Sequence, residues 1–338
     1  MGPYLVRRLL IAVLVVFTVS FATFVGFGLS FDPGYPLIQG NYRNYLLVES
    51  YYHLKDPILS RYWLWLTGLF RHGFGNTVSV DVGGAPPKLQ SYGFPIWPIV
   101  WNAAKITSEL VGAALVFIVA GSALVGTIGA ERRRYRLDVS TRAFAYLAAG
   151  VPTFLVGDLI QRAVLPHISY SFVVGKGLQA HSSGSWFVIG APLGGFVDWV
   201  QHMTLPIAAL AISMIGVYAR YVRSSMIVTL HEPYITVARA KGLPERRVLV
   251  RHALRNSLVP FASLLSLEIG GVVGASIAVD AVFHTGGLAS TFLAALSAAD
   301  PFFLTALLVM TAVIVSVFAF VGDLLVGLLD PRTRTTTA

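Results

Sequence analysis

Six long apolar segments recur along the chain, and they constrain its fold more than any other feature. They lie at 9–30, 107–130, 143–165, 205–223, 258–282 and 302–328. A helix needs about 20 apolar residues to cross a hydrocarbon layer, and helices satisfy their own backbone amides in lipid. The sequence therefore predicts an all-α polytopic membrane protein with six transmembrane helices in contact with membrane lipid.

Composition supports this fold class and excludes several kinds of site. Of the 338 residues, 55% are hydrophobic and 12% are charged, whereas soluble domains carry about 25% charged residues. The absence of cysteine excludes disulfides, thiolate zinc sites and cysteine nucleophiles. The net charge of +9 is better explained by cationic cytoplasmic loops than by nucleic-acid binding, so we expect no nucleic-acid partner.

The positions of lysine and arginine predict the orientation of the chain. Most of the 25 basic residues lie in the N-terminal tail, in the loops that follow the second and fourth segments, and in the C-terminal tail. Cytoplasmic loops carry such an excess, so both termini are predicted to be cytoplasmic. The predicted organisation is a tail and first helix at 1–30, a structured extracytoplasmic segment at 31–104, a transmembrane core at 105–330 and a cytoplasmic tail at 331–338.

The basic cytoplasmic loop at 224–257 has a predictable local structure. Glu232 and Pro233 form a plausible helix start, with proline at an early helical position. Gly242 can supply the left-handed residue that ends this helix, and Pro244 prevents its continuation. A second helix is expected to begin near Glu245. The sequence therefore predicts a short helix, a corner and a second helix. An element of this shape can dock into a groove on a partner protein. The alternative is a solvated loop that faces anionic lipid headgroups.

Residue identity favours the docking interpretation. The loop contains YITVARAKGL from Tyr234, followed by HALRNSLVP from His252. These strings resemble the coupling-loop signature of binding-protein-dependent ABC importer permeases, and in particular the family that serves dipeptides and oligopeptides, in its first-permease type. Of the general signature's E-A-A positions before Gly242, only Ala238 is kept, which is usual in the peptide branch. The resemblance covers nearly the whole chain, including the start at Arg7 and Arg8 and the end at 330–332.

The resemblance implies a type I ABC importer permease fold and a set of partners. It implies a heterodimer with a second homologous permease subunit, two ATP-binding subunits, and an extracytoplasmic substrate-binding lipoprotein or periplasmic protein. The sequence has no G-x-x-x-x-G-K-[ST] phosphate loop. This chain is therefore not expected to be an enzyme or to bind a cofactor. ATP and Mg are expected in the ATPase subunits. A multi-pass location in a bacterial or archaeal cytoplasmic membrane follows.

The implied function is half of a translocation pathway for di- and oligopeptides. In this family the helix at 232–243 transmits ATPase closure to the membrane helices, with Ala238 and Gly242 expected at the centre of docking. The expected coupling residues are Glu232, Tyr234, Val237, Ala238, Arg239, Lys241, Gly242 and Leu243. Nickel, glutathione, haem or a sugar remains an alternative cargo.

Charged and small residues inside the spans suggest further roles. Glu268, near the middle of the fifth span, could line the translocation path or hydrogen-bond a neighbouring helix. Gly270 and Gly274 form a G-x-x-x-G pattern that permits a close helix crossing. Asp280, near an outer end, is expected to be solvated or paired with a lipid headgroup, and Asp323 is expected to have a structural role with a basic partner such as Arg332.

Two other classes of function compete with the importer. An ion-driven transporter should have inverted repeats or paired broken helices, and the sequence shows neither. An intramembrane hydrolase could use Ser276 and His284, but no partner carboxylate or oxyanion site accompanies them. The eight histidines include no i, i+4 pair, so no metal site is expected.

Overall fold

A computed structural model describes residues 2–30, 53–72, 74–75, 95–131, 139, 143, 145–148, 150–164, 195–297 and 301–329. Its main elements are helices, numbered here in chain order. They are α1 Gly2–Ser30, α2 Ile58–His72, α3 Ile96–Glu131, α4 Thr153–Val164, α5 Gly195–Leu230, α6 Pro233–Ala240, α7 Glu245–Arg247, α8 Arg255–Phe283, α9 Leu288–Ser297 and α10 Pro301–Leu329. Residues Val248–Leu254 form a π-helical segment between α7 and α8.

Five of these helical stretches are long and apolar enough to cross a membrane. They are Val6–Ser30, Ile96–Ala130, His202–Leu230, Glu245–Phe283 and Pro301–Gly327, and they correspond to five of the six predicted spans. The remaining span, predicted at 143–165, is only partly described, and its 12-residue helix α4 is too short to cross alone. The six-span count and the orientation therefore stay predictions.

The observed spans extend beyond the apolar segments that predicted them. α3 begins at Ile96, so Trp97 and Trp101 lie in its first turns and do not precede it. The helical stretch from Glu245 to Phe283 likewise begins well before the predicted start at 258. Hydropathy detects only the part of a helix that must be apolar because it lies in lipid. The backbone hydrogen bonds of the helix continue into its more polar ends, which hydropathy does not detect.

The chain divides into two compact units. One comprises Thr107–Thr285 and Val317–Ala338, with Met1. In it, α8 packs against α5 and α4, and α4 also packs against α5. Small residues allow close contacts: a Cβ added to Gly216 would lie 2.3 Å from the Cβ of Ala148, and one added to Gly121 would lie 2.4 Å from Ile215 Cδ1. Small residues serve the same purpose in other membrane helices.

Polar side chains also join the helices of this first unit. Ser266 on α8 donates a hydrogen bond of 2.8 Å to Asp323 on α10, and both residues are buried. Asp323 is thus structural, as predicted, while Arg332 lies outside the described residues. Asp280 is buried and accepts a hydrogen bond from Thr285 at 2.5 Å, so the expectation that it is solvated was wrong.

The second unit comprises Gly2–Ile106 and Gly286–Ser316. Here α2 packs against α1 through aromatic rings: Tyr62 makes edge contacts with Phe17, Phe21 and Phe24. The same aromatic cluster continues through Trp65, Phe74, Trp97 and Trp101, with neighbouring ring centroids 5.6–6.1 Å apart. Part of the segment 31–104, which was predicted to lie outside the membrane, is therefore a helix packed against the first span. Most of the rest of that segment lies outside the described residues.

Candidate functional site

The loop at 224–257 folds as the sequence predicts, because both ends of α6 carry specific local signals. The helix starts with Glu232 in extended backbone conformation and Pro233 at its first turn. It ends at Ala240, and Gly242, two residues later, has a φ of +76°. The Leu243 amide donates to the Ala238 carbonyl at 3.4 Å, and the Gly242 amide donates to the Arg239 carbonyl at 2.9 Å. This is the Schellman pattern of helix termination, and the predicted helix, corner and second helix are confirmed.

One face of α6 is buried within its own chain. Ile235 is 0% exposed and Ala238 is 7% exposed, and α6 packs on the π-helical segment. That segment in turn buries Val248, Leu249 and Ala253. The small side chain of Ala238 therefore serves a contact inside this chain, and its availability to a partner is low.

Two polar contacts hold α6 to the two helices that follow, one to α7 and one to α8. The Asn256 amide donates to the Tyr234 hydroxyl at 2.7 Å. Arg239 forms a bidentate pair with Glu245, with its Nη2 at 2.6 Å from Oε1 and its Nε at 3.2 Å from Oε2. The hydrogen bonds to Glu245 raise the pKa of the Arg239 guanidinium, so this group stays charged. Because bidentate geometry fixes direction as well as distance, the contact orients the corner.

The surface that α6 leaves free is mixed in character. Tyr234 is 39% exposed and Val237 is 53% exposed, so these two expected coupling residues face solvent, whereas Ala238 faces the chain's interior. Glu232, Lys241 and Gly242 are exposed, and Leu243 is half-buried. The exposed cations nearby are Arg246, Arg247, Arg251 and Arg255.

Three contributors to this site were missed in the sequence. Ile235 supplies the buried face, Glu245 pairs with Arg239, and Asn256 holds Tyr234. The i, i+3 spacing of Ile235 and Ala238 was a usable signal for a buried stripe. The pairing of Tyr234 with Asn256 had no comparable signal, because it depends on how far the chain turns at the corner.

The coupling segment, defined here as residues 232–254, is continuous with the membrane helix α8. The π-helical segment passes directly into Arg255 of α8. The Ser225 hydroxyl of α5 donates to the Ser257 carbonyl at 3.0 Å, so the helices entering and leaving the segment are also joined. The coupling segment is therefore joined to α8 by continuous backbone, and α5 is joined to α8 by a hydrogen bond.

Within the membrane part of α8, the candidate residues lie on an exposed face. Glu268, Gly270 and Gly274 are all exposed, and Leu267 beside them is 78% exposed. A Cβ added to Gly274 would meet no atom within 4 Å. The predicted G-x-x-x-G crossing is thus not made at Gly274 within the described part of this chain, because α5 and α4 pack elsewhere on α8.

The residues imagined for hydrolysis do not form a catalytic site. Ser276 is fully buried, and its hydroxyl donates to the Val273 carbonyl of its own helix at 2.7 Å. His284 lies beyond the helix end in left-handed conformation, with φ +50°. Among the described residues, no group of three or more His, Cys, Asp or Glu side chains could hold a metal ion.

Comparison with known proteins identifies the family. The family model described as "Binding-protein-dependent transport system inner membrane component" matches residues 109–335. The dipeptide transport system permease protein DppB of Bacillus subtilis (strain 168) is 28% identical over 337 residues, covering 99% of this chain and 98% of the relative.

Two oligopeptide transport proteins are similar as well. The oligopeptide transport system permease protein OppB of Mycobacterium bovis is 29% identical over 340 residues, covering 99% of both chains. The OppB of Escherichia coli (strain K12) is 26% identical over 289 residues, covering 85% of this chain and 84% of the relative. The resemblance seen in the coupling segment is thereby confirmed along the chain, which belongs to the family of binding-protein-dependent transport system inner membrane components.

Proposed function

We propose that this chain is the permease subunit of an ATP-driven peptide importer, and that it couples ATPase closure to alternating access. The observation that carries the proposal is the coupling segment: a short helix that ends at a glycine corner and is bound to α7 through Arg239–Glu245 and to α8 through Tyr234–Asn256. The names of the relatives, which are dipeptide and oligopeptide permeases, support peptides as cargo. Nickel, glutathione, haem and sugars are the alternative cargoes.

The coupling works as a rigid-body transition between two states. ATP binding closes the two ATPase subunits, and the exposed surface around Tyr234, Val237 and Lys241 follows them. Because α6 is packed and hydrogen-bonded to the start of α8, its motion moves α8 without first deforming the corner. The ATPases bias the equilibrium only to the extent that they bind one state more tightly than the other.

The proposal implies a multi-subunit assembly in the cytoplasmic membrane of a bacterium or archaeon. Its members are a second homologous permease, two ATPase subunits that bind ATP and Mg, and an extracytoplasmic substrate-binding protein. The exposed cations of the coupling segment, such as Arg246 and Arg251, lie at the rim of the surface offered to the ATPases. Both termini face the cytoplasm in this arrangement, as the charge distribution predicts.

Glu268 supports a translocation path along α8. An exposed carboxylate in the middle of a span is too costly to face lipid, so this face of α8 faces water or a partner subunit. A carboxylate there attracts the ammonium terminus of an incoming peptide. Gly270 and Gly274, exposed on the same helix, then allow the second permease to approach closely.

The docking assignment is tested by Val237→Asp, because Val237 is exposed and contributes little to the chain's own packing. We expect co-purification of the ATPase subunits, and ATP-dependent uptake of a labelled dipeptide in proteoliposomes, to fall at least about tenfold, the effect of 1.4 kcal/mol. Thr236→Asp adds the same charge to another exposed position of α6 and serves as the matched control. Unchanged uptake by Val237→Asp would show that this surface does not dock the ATPase.

A further inference from the structure

Helix α2 lies in the segment that the sequence places outside the membrane, yet its contacts fall along the first span. The Tyr62 hydroxyl shares a hydrogen bond of 2.8 Å with the Ser20 hydroxyl of α1. The Tyr62 ring contacts Phe17, Phe21 and Phe24. Both Ser20 and Tyr62 are 4% exposed. The position of Ser20 along α1 therefore gives the depth of α2.

The depth of Ser20 follows from where α1 meets the inner surface. Arg7 and Arg8 precede an uninterrupted apolar run that begins at Leu9, so the hydrocarbon begins near Leu9. Ser20 is eleven residues further along, which is roughly 17 Å of helix. Since the hydrocarbon layer is about 30 Å thick, the contact between Ser20 and Tyr62 lies near its middle.

The two ends of α2 return toward the outer surface. At its start, a Cβ on Gly28 of α1 would lie 3.2 Å from Ile58 Cδ1, which places Ile58 near the outer end of α1. After α2, Trp65 contacts Phe74, and Phe74 stacks on Trp97 in the first turn of α3. With 15 residues, about 22 Å of helix, α2 is too short to cross the layer. It enters and leaves on one side.

The free surface of α2 suits hydrocarbon. Leu59, Trp63 and Leu64 are 64%, 63% and 46% exposed. The Thr67 hydroxyl donates to backbone carbonyls of its own helix. Arg61 is the one charged residue among the described side chains of α2; it is half-buried and its Nε is buried, so this side chain packs against protein instead of lying on the free surface.

We propose that α2 is a re-entrant helix embedded in the outer leaflet, with Leu59 and Trp63 in contact with lipid acyl chains. The exposed apolar surface of α1, including Leu14 at 63% exposure, continues directly into that of α2. Tryptophans at the ends of spans are typical of the headgroup region, and the stacked pair Trp97 and Trp101 holds the exit of α2 at that level. The chain between the first two spans thus partly belongs to the membrane domain.

Site-directed spin labelling tests the proposal directly, because the chain has no cysteine. Trp63→Cys and Leu59→Cys are labelled with a nitroxide in the complex as it purifies, reconstituted in liposomes. Collision rates with oxygen, which dissolves in lipid, and with a polar nickel chelate, which does not, are then compared. Leu14→Cys is the lipid-facing reference, and Val139→Cys, 57% exposed in the basic loop that follows the second span, is the aqueous reference.

We expect the ratio of oxygen to nickel collisions at both positions to match that at Leu14 and to exceed that at Val139 about tenfold, since hydrocarbon excludes polar solutes. A ratio like that at Val139 would place α2 in water and overturn the proposal. Protection from both reagents would also overturn it, because protein would then cover the helix. If Trp63→Cys assembles poorly, Leu59→Cys carries the measurement.

Discussion

Substitutions at Gly242 can distinguish two explanations of why the coupling segment has glycine at this position. One explanation is that a missing side chain lets the ATPase approach closely; the other is that the corner requires left-handed backbone. The φ of +76° supports the second, and crowding within this chain does not require glycine, because an added Cβ meets no described atom of it within 4 Å. The left-handed conformation costs an ordinary L residue about 1–2 kcal/mol, whereas asparagine adopts it several-fold more often.

The two explanations rank the same substitutions in opposite orders. If conformation decides, Gly242→Asn retains more function than Gly242→Ala, although asparagine is larger. A cost of about 1–2 kcal/mol lowers the ratio of correctly formed to distorted corners about 5–30-fold. Gly242→Val should reduce function further than Gly242→Ala, because β-branched residues tolerate positive φ least.

The assay is ATP-dependent uptake of a labelled dipeptide by proteoliposomes, normalised to co-purified ATPase. Circular dichroism of the purified complexes serves as the control for folding. Better function with alanine than with asparagine would refute the conformational explanation and would favour close approach by a partner.

Three further predictions address the membrane helices. Gly274→Leu should leave the thermal stability of the isolated chain unchanged but reduce co-purification of the second permease. Gly216→Leu should instead destabilise the chain itself by at least about 1–3 kcal/mol through overpacking. Equal effects of the two substitutions on both measurements would contradict the proposed crossing at Gly274. Ser266→Ala should remove a buried donor to Asp323 and cost about 1 kcal/mol, visible as a lower melting temperature in detergent. Glu268→Gln should reduce uptake of free-amine peptides more than that of N-acylated peptides, and equal reductions would remove the ammonium-binding role.

The sequence predicted the coupling segment well because its shape is encoded locally. Pro233 starts a helix, Gly242 ends it and Pro244 prevents its continuation, and each acts through its own backbone restrictions. The buried face of α6 was harder to predict. Whether Ile235 or Val237 faces inward depends on where the returning chain lies after the corner, and this information is spread over residues ten or more positions away.

Hydropathy predicted six spans, five of which correspond to long apolar helices, and it missed α2 for a related physical reason. Tyr62 and Arg61 lower the mean hydropathy of a helix that is already too short to be recognised as a span. Its depth is set by the contact with Ser20, 42 residues earlier in the chain, which no local window contains. The π-helical segment Val248–Leu254 was missed likewise, since its sequence is compatible with ordinary α-helix.

The intramolecular fastening of α6 affects how the transporter is put together. Ordering a flexible loop on binding costs about 0.5–1.5 kcal/mol for each immobilised side chain. Here Tyr234 and Arg239 are already held by Asn256 and Glu245 before any ATPase arrives. Most of that entropy is therefore lost when the chain folds, so in the proposed assembly the ATPase subunits would bind a segment that needs little rearrangement.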